Sequence, residues 1–68
     1  MPTFHMIVLN KDGQTVLKGD TPFVPRIGEK LISSGNKFIV KDVIYDFGYG
    51  THHLPIFVAV HVELMWEG

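Results

Sequence analysis

Residues 24–47, which read VPRIGEKLISSGNKFIVKDVIYDF, decide the fold of this chain. Turn residues alternate there with β-branched and aromatic residues at intervals too short for a helix. Pro25 and Gly28 bracket one tight turn, and residues 33–36 supply a second. The apolar residues that follow stand two apart, as a strand with one buried face requires. The stretch therefore predicts a small all-β fold.

The second strand of this stretch, predicted over residues 37–47, changes its apolar register midway. Its apolar residues occupy even positions first and odd positions afterwards: Phe38, Val40, Val43, Tyr45 and Phe47. All five reach the core side only if one extra residue is inserted near Lys41 and Asp42. A β-bulge inserts such a residue and bends the strand, so the pattern predicts a curled sheet.

Similar patterns outside the stretch complete the sheet. Five strands are predicted, over residues 3–9, 14–18, 28–33, 37–47 and 56–66. The even positions of the last strand, from Ile56 to Trp66, are all apolar and form its core face. Phe23 and Val24, in a loop with two prolines, are expected to plug one end of the core. We expect a single domain over residues 1–68, a five-stranded SH3-like barrel or partly open β-roll built as an antiparallel meander.

The central pattern also resembles that of a family of small proteins. The residues PRIGEKL at 25–31, followed by FIV at 38–40 and by Val43, are similar to those of small uncharacterised SH3-like barrel proteins of phages and integron gene cassettes. The resemblance covers about a third of the chain. It implies the barrel fold, a bacterial mobile element as source and self-association, and it assigns no functional residue.

Composition narrows the functional classes. The formal net charge of −1 gives no general attraction to phosphate backbones or anionic lipid. There is no cysteine, which excludes thiolate chemistry and disulfides. The longest apolar run near the start, residues 6–9, is too short for a signal peptide or a membrane span. We therefore expect a cytoplasmic protein without a membrane partner.

Neither catalysis nor a cofactor is indicated. The four histidines, His5, His52, His53 and His61, lack the paired spacing of metal ligands, and adjacent histidines on an extended chain point apart. Ser33 and Ser34 fit a turn, and no carboxylate is paired with a base at a recognisable interval. We predict no enzyme activity, no metal and no cofactor.

Binding of single-stranded nucleic acid is the alternative function. Small barrels bind single strands by stacking bases on exposed aromatic residues beside basic ones. Tyr49 and Phe57, with Lys30, Lys37 and Lys41, are the candidates for this chemistry. A possible ligand-binding loop would combine Lys37 and Lys41 with Tyr49, His52 and His53. The basic residues are scattered among acidic ones and form no visible stripe, which disfavours nucleic acid as a partner.

Surplus apolar residues at both ends of the chain favour a protein interface. The first strand is apolar on both faces, and the last strand carries apolar residues opposite its core face. If these strands pair, one outer patch contains His5, Ile7, Leu9, Phe57, Ala59, His61 and Met65. Monomers rarely expose large apolar patches. We therefore expect a non-catalytic protein-interaction module that self-associates, as a dimer or larger, through this patch; another protein partner is a further possibility.

Overall fold

A computed structural model of the chain describes residues 3–49 and 55–67. They form five strands, β1 Phe4–Leu9, β2 Thr15–Thr21, β3 Lys30–Ser33, β4 Asn36–Asp46 and β5 Phe57–Glu67. The described part of the chain contains no helix. The predicted all-β fold of five strands is confirmed.

The strands form one curled sheet, a half-barrel, in the order β2-β1-β5-β4-β3. Since β2 and β3 lie at its two ends, the sheet is a partly open roll. The expected meander is interrupted at one point, because β2 and β3 lie at opposite ends of the described sheet and do not pair. The strands still alternate in direction along the chain, so β1 and β5 are parallel where they pair.

Strand β2 is longer than its sequence suggests. The predicted strand ended at Lys18, because glycine and aspartate are poor strand formers. In the structure the β1 ladder continues through Gly19 and Asp20 as far as the pair between Phe4 and Thr21. Pairing with a strongly apolar neighbour therefore outweighs local propensity.

The predicted bulge in β4 is present. Val40 pairs with Val62 and Asp42 pairs with His61, so Lys41 is the extra residue. A second irregularity lies farther along β5, between the pairs Phe38–Leu64 and Lys37–Trp66. It was not predicted, and it moves Trp66 out of the core register.

The core lies on the concave side of the half-barrel. Its buried residues come from the three central strands and are Val8, Phe38, Val40, Val58, Val60 and Val62. Val43 packs against them from β4, as the bulge predicted. Tyr45 pairs with Val58 on the same side, but it is about half exposed, and Phe47 lies beyond the strand and is also exposed. An open sheet leaves its outer positions uncovered, so these two aromatic residues are not core residues.

Two predicted turns are built by local hydrogen bonds. In the loop after β1, the Asn10 side-chain oxygen accepts hydrogen bonds from the Asp12 and Gln14 amides, each at 3.0 Å. The turn before β3 is closed by the Glu29 amide donating to the Arg26 carbonyl at 3.0 Å, with Gly28 at φ 92°. A positive φ at the third position is typical of a type II turn and favours glycine.

The connection between β2 and β3 covers the core only partly. Val24 is half-buried and packs against the core cluster, as expected. Phe23 is 71% exposed, so the expectation that it plugs the core is wrong. Its carbonyl accepts a hydrogen bond from the Thr21 hydroxyl at 3.0 Å. This local bond is compatible with a short turn that leaves the Phe23 ring in solvent.

Candidate interaction surface

The convex side of the sheet, here called the outer face, carries an apolar row across three adjacent strands. Ile7 of β1 pairs with Ala59 of β5, and Ala59 pairs with Ile44 of β4. Paired residues on neighbouring strands point to the same side of a sheet. Ile7, Ala59 and Ile44 therefore form one line across the sheet, which we call the apolar row.

The centre of the row is its smallest side chain. Ala59 is 9% exposed, and its partners on the two neighbouring strands are the larger isoleucines. Ile44 is 47% exposed and Ile7 is half-buried. The row thus offers two ridges with a gap between them, a shape that can accept a side chain from another molecule.

Polar residues lie on both sides of the row, next to the apolar residues Leu9 and Phe57. On one side lie His5 and Asp20, paired across β1 and β2, with the His5 Nδ1 at 3.1 Å from an Asp20 carboxylate oxygen. On the other side, His61 pairs with Asp42. Lys18 pairs with Ile7 and ends the row on β2. An apolar centre inside a charged rim is the usual anatomy of a protein interface.

Six of the seven predicted interface residues lie on this outer face. They are His5, Ile7, Leu9, Phe57, Ala59 and His61. Leu9 pairs with His61 and Phe57 pairs with Asp46, so these two apolar residues flank the row. The predicted pairing of the first and last strands is present, although the strands run parallel.

Met65 is separate from the other six. Met65 lies at the irregularity in β5, four positions beyond His61. Glu63 lies between these two residues on the outer face. About 13 Å of strand therefore separates Met65 from His61. Conversely, the sequence analysis missed Ile44. The bulge that turns Val43 toward the core also turns Ile44 outward, and that signal could have identified it.

A second outer cluster lies at the far end of the sheet. Trp66 pairs with Lys37, whose Nζ lies 6.0 Å from the centroid of the indole ring. The expectation that Trp66 faces the core is wrong, because the irregularity at Met65 reverses its side. Ile32 of β3 also pairs with Lys37 and is 65% exposed. An exposed aromatic residue beside a lysine is the kind of surface on which a cation–π contact forms.

The predicted ligand loop is only partly described. Lys37 and Tyr49 lie at opposite ends of β4, with Lys41 at the bulge between them, so these three residues do not form one patch. Tyr49 is fully exposed. His52 and His53, the other two residues of the predicted loop, lie outside the described residues.

The described residues line at least two clefts. One of about 450 Å³ lies between the β1–β2 turn and the ends of β4 and β5, beside Asp12 and Glu63. The other, of about 300 Å³, lies between β2 and β3 and is lined by apolar residues that include Leu17, Val24 and Leu31. Within residues 3–49 and 55–67, no three histidine, cysteine, aspartate or glutamate residues are grouped as a metal site would require.

Comparison with protein-family models, curated proteins and solved structures gave no match for this chain. Over the described residues, no helix has the length and apolar character needed to cross a bilayer. The function is therefore inferred from the geometry of the outer face.

Proposed function

We propose that this chain is a non-catalytic protein-interaction module that associates with a second copy of itself through the outer face. The apolar row carries the proposal, because it places Ile7, Ala59 and Ile44 side by side on three strands within a charged rim. Antiparallel strands with one face in water normally alternate between apolar and polar residues. This face breaks that alternation at its centre.

The shape of the row suits packing between two sheets. Sheets that pack face to face lie about 10 Å apart and interdigitate their side chains. In an aligned arrangement whose two-fold axis runs along the strands between β4 and β5, Ile44 of each copy lies opposite Ala59 of the second copy. The small Ala59 side chain then leaves room for the isoleucine that faces it.

The energy available sets the strength of the complex. Each 100 Å² of apolar surface removed from water contributes about 2.5 kcal/mol, and association costs about 4–15 kcal/mol in lost freedom. Five apolar side chains supply a few hundred square ångströms on each copy: Ile7, Leu9, Ile44, Phe57 and Ala59. We therefore expect a weak complex whose population changes over the micromolar range.

Analytical ultracentrifugation over a concentration series tests the proposal. We expect the average mass of the wild-type chain to rise with concentration, and Ile44→Lys to lower it, because the substitution places a charge in the apolar row. Ile32→Lys is the matched control, since it changes the same residue type at an exposed position outside the row. A strict monomer at high micromolar concentration contradicts the proposal, as does a folded Ile44→Lys variant with unchanged mass.

Single-stranded nucleic acid remains the second candidate, on a specific observation. The half-exposed Trp66 with Lys37 beside it provides a ring for base stacking and a charge for a phosphate. Trp66 is the single tryptophan of the chain, so its fluorescence reports on this site alone. We expect quenching by a single-stranded oligonucleotide at low salt if this function is present. Unchanged fluorescence throughout the titration rejects it.

A further inference from the structure

We propose that the free edge of β2 pairs with β2 of a second copy, antiparallel and centred on Gly19, to join two five-stranded sheets into one. β2 is an end strand, and the part of the chain that the structure describes pairs it only with β1. Lys18, Gly19 and Asp20 are all exposed. An unpaired strand edge is a template for another strand.

The charges on β2 select one register. A two-fold axis at Gly19 places Lys18 of each copy opposite Asp20 of the other, which gives two attractive pairs. An axis at Lys18 instead places two lysines face to face, and an axis at Asp20 does the same for two aspartates. Opposite charges across neighbouring strands are stabilising and like charges are destabilising. The edge is thus self-complementary in the register centred on Gly19.

The surroundings of these residues suit that register. Asp20 already lies 3.1 Å from His5 on its β1 side, and its side chain is 68% exposed. Lys18 of a second copy would approach Asp20 from the other side. At the axis, a Cβ on Gly19 would meet nothing within 4 Å, so a side chain introduced at that position has room.

The two ends of the paired segment are equivalent by symmetry. At each end Leu17 of one copy lies opposite Thr21 of the other. The ladder stops there because the next residue, Pro22, has no amide hydrogen to donate. The other free edge, β3, is less suited. It has four residues, of which only Lys30 is charged. A two-fold axis at Leu31 would place Lys30 opposite Ile32, so no pair of opposite charges forms. The opposite charges of Lys18 and Asp20 therefore favour β2 over β3 as the edge that makes the contact.

This contact uses a different surface from the apolar row and does not depend on it. In the proposed pairing the outer faces of the two copies are continuous, since residues opposite each other share a side of the sheet. A chain with both contacts forms complexes larger than a dimer. A chain that lacks the face contact still forms the β2 pair.

Cysteine crosslinking tests the register, because the chain has no cysteine of its own. Opposite residues on antiparallel strands have Cα atoms about 4.5–5.5 Å apart, within the range that a disulfide spans. We expect Gly19→Cys to form a disulfide-linked dimer under mild oxidation. Thr15→Cys, at the exposed start of the same strand, is the control and is expected to crosslink about tenfold more slowly, because it has no symmetric counterpart in this register. Equal rates overturn the proposal.

Charge reversal supplies an independent readout, with Ile44→Lys present in every chain to remove the face contact. We expect Lys18→Asp alone and Asp20→Lys alone each to slow Gly19→Cys crosslinking about tenfold, because each creates two like-charge pairs. Mixing these two variants should restore crosslinking, because opposite charges then meet across the axis. Lys11→Asp, in the exposed β1–β2 loop, is the charge control.

The outcomes separate the two proposals. If mixing fails to restore crosslinking in folded variants, the β2 pairing is overturned, whatever the behaviour of the apolar row. If Ile44→Lys leaves the mass of the otherwise wild-type chain unchanged, the face contact is overturned, whatever the crosslinking result. Circular dichroism of each variant confirms that the sheet is intact before either result is interpreted.

Discussion

Ser34 carries the least favourable backbone conformation among the described non-glycine residues. Its φ of 52° is positive, and Gly35 follows with φ 81°, so the two-residue turn between β3 and β4 has the geometry of type I′. Asparagine tolerates this conformation better than serine, and β-branched residues tolerate it poorly.

We expect Ser34→Asn to raise the free energy of unfolding by about 0.5 kcal/mol, because Asn-Gly is the preferred pair in such turns. Ser34→Val is expected to lower it by about 1 kcal/mol, because a β-branched side chain is tolerated less well than serine in the left-handed region. Urea denaturation measures both. Ser33→Asn is the control, since Ser33 belongs to β3 and should gain nothing; a gain equal to that of Ser34→Asn would contradict the turn argument.

At the scale of the element, the bulge at Lys41 decides which side chains of β4 face the core. On one side of it Val40 pairs with Val62, and on the other Val43 pairs with Val60. Side chains alternate between faces with a period of two, so the extra residue allows Val40 and Val43, three positions apart, to face the same side. Deleting Lys41 would place them two positions apart and keep both inside, whereas deleting Ile39 would turn either Phe38 or Val40 outward.

Deletion of Lys41 is therefore expected to leave folding cooperative, whereas deletion of Ile39 should abolish it, because Phe38 and Val40 are both core residues. The side chain of Lys41 is exposed, so Lys41→Ala removes no core contact and should change the free energy of unfolding by less than about 0.5 kcal/mol. Circular dichroism during urea denaturation distinguishes the three variants. A Lys41 deletion that does not fold, or an Ile39 deletion with wild-type stability, would contradict this account of the bulge.

These elements also show how far the sequence predicts the fold. The β4 bulge was predictable because apolar residues change from even to odd positions at Lys41 and Asp42. The irregularity near Met65 was not predictable. Three consecutive apolar residues, Leu64, Met65 and Trp66, show no alternation that would indicate which of them faces the core. The separation of β2 from β3 depends on where the 22–29 connection crosses the sheet, which no local pattern records.

Most residues of the candidate surface were also predictable from the sequence. Alternation in the first and last strands identified Ile7, Leu9, Phe57 and Ala59 as outward and apolar. Placing them together required the pairing of β1 with β5, on which the predicted patch was conditional and which the structure contains. Ile44 was not predicted, although the bulge that turns Val43 toward the core also turns Ile44 outward.

At the scale of the whole molecule, the chain exposes more surface than its mass suggests. Its accessible area is 4878 Å², compared with roughly 4,300 Å² for a folded monomer of this mass. Its radius of gyration is 12.4 Å, compared with about 11 Å for a compact chain of this length. An open half-barrel explains both differences, because the described strands form one sheet with no second layer and with unpaired edges on β2 and β3.

Association should therefore contribute to the stability of the fold. Because a complex binds only the folded chain, mass action stabilises it as protein concentration rises. For a dimer, each tenfold increase adds about 0.7 kcal/mol per chain, or about 3–5 °C in Tm for a domain of this size. Scanning calorimetry over two decades of concentration measures this shift. The variant with both Ile44→Lys and Lys18→Asp should melt at a Tm independent of concentration, and a wild-type Tm equally independent would contradict association through either surface.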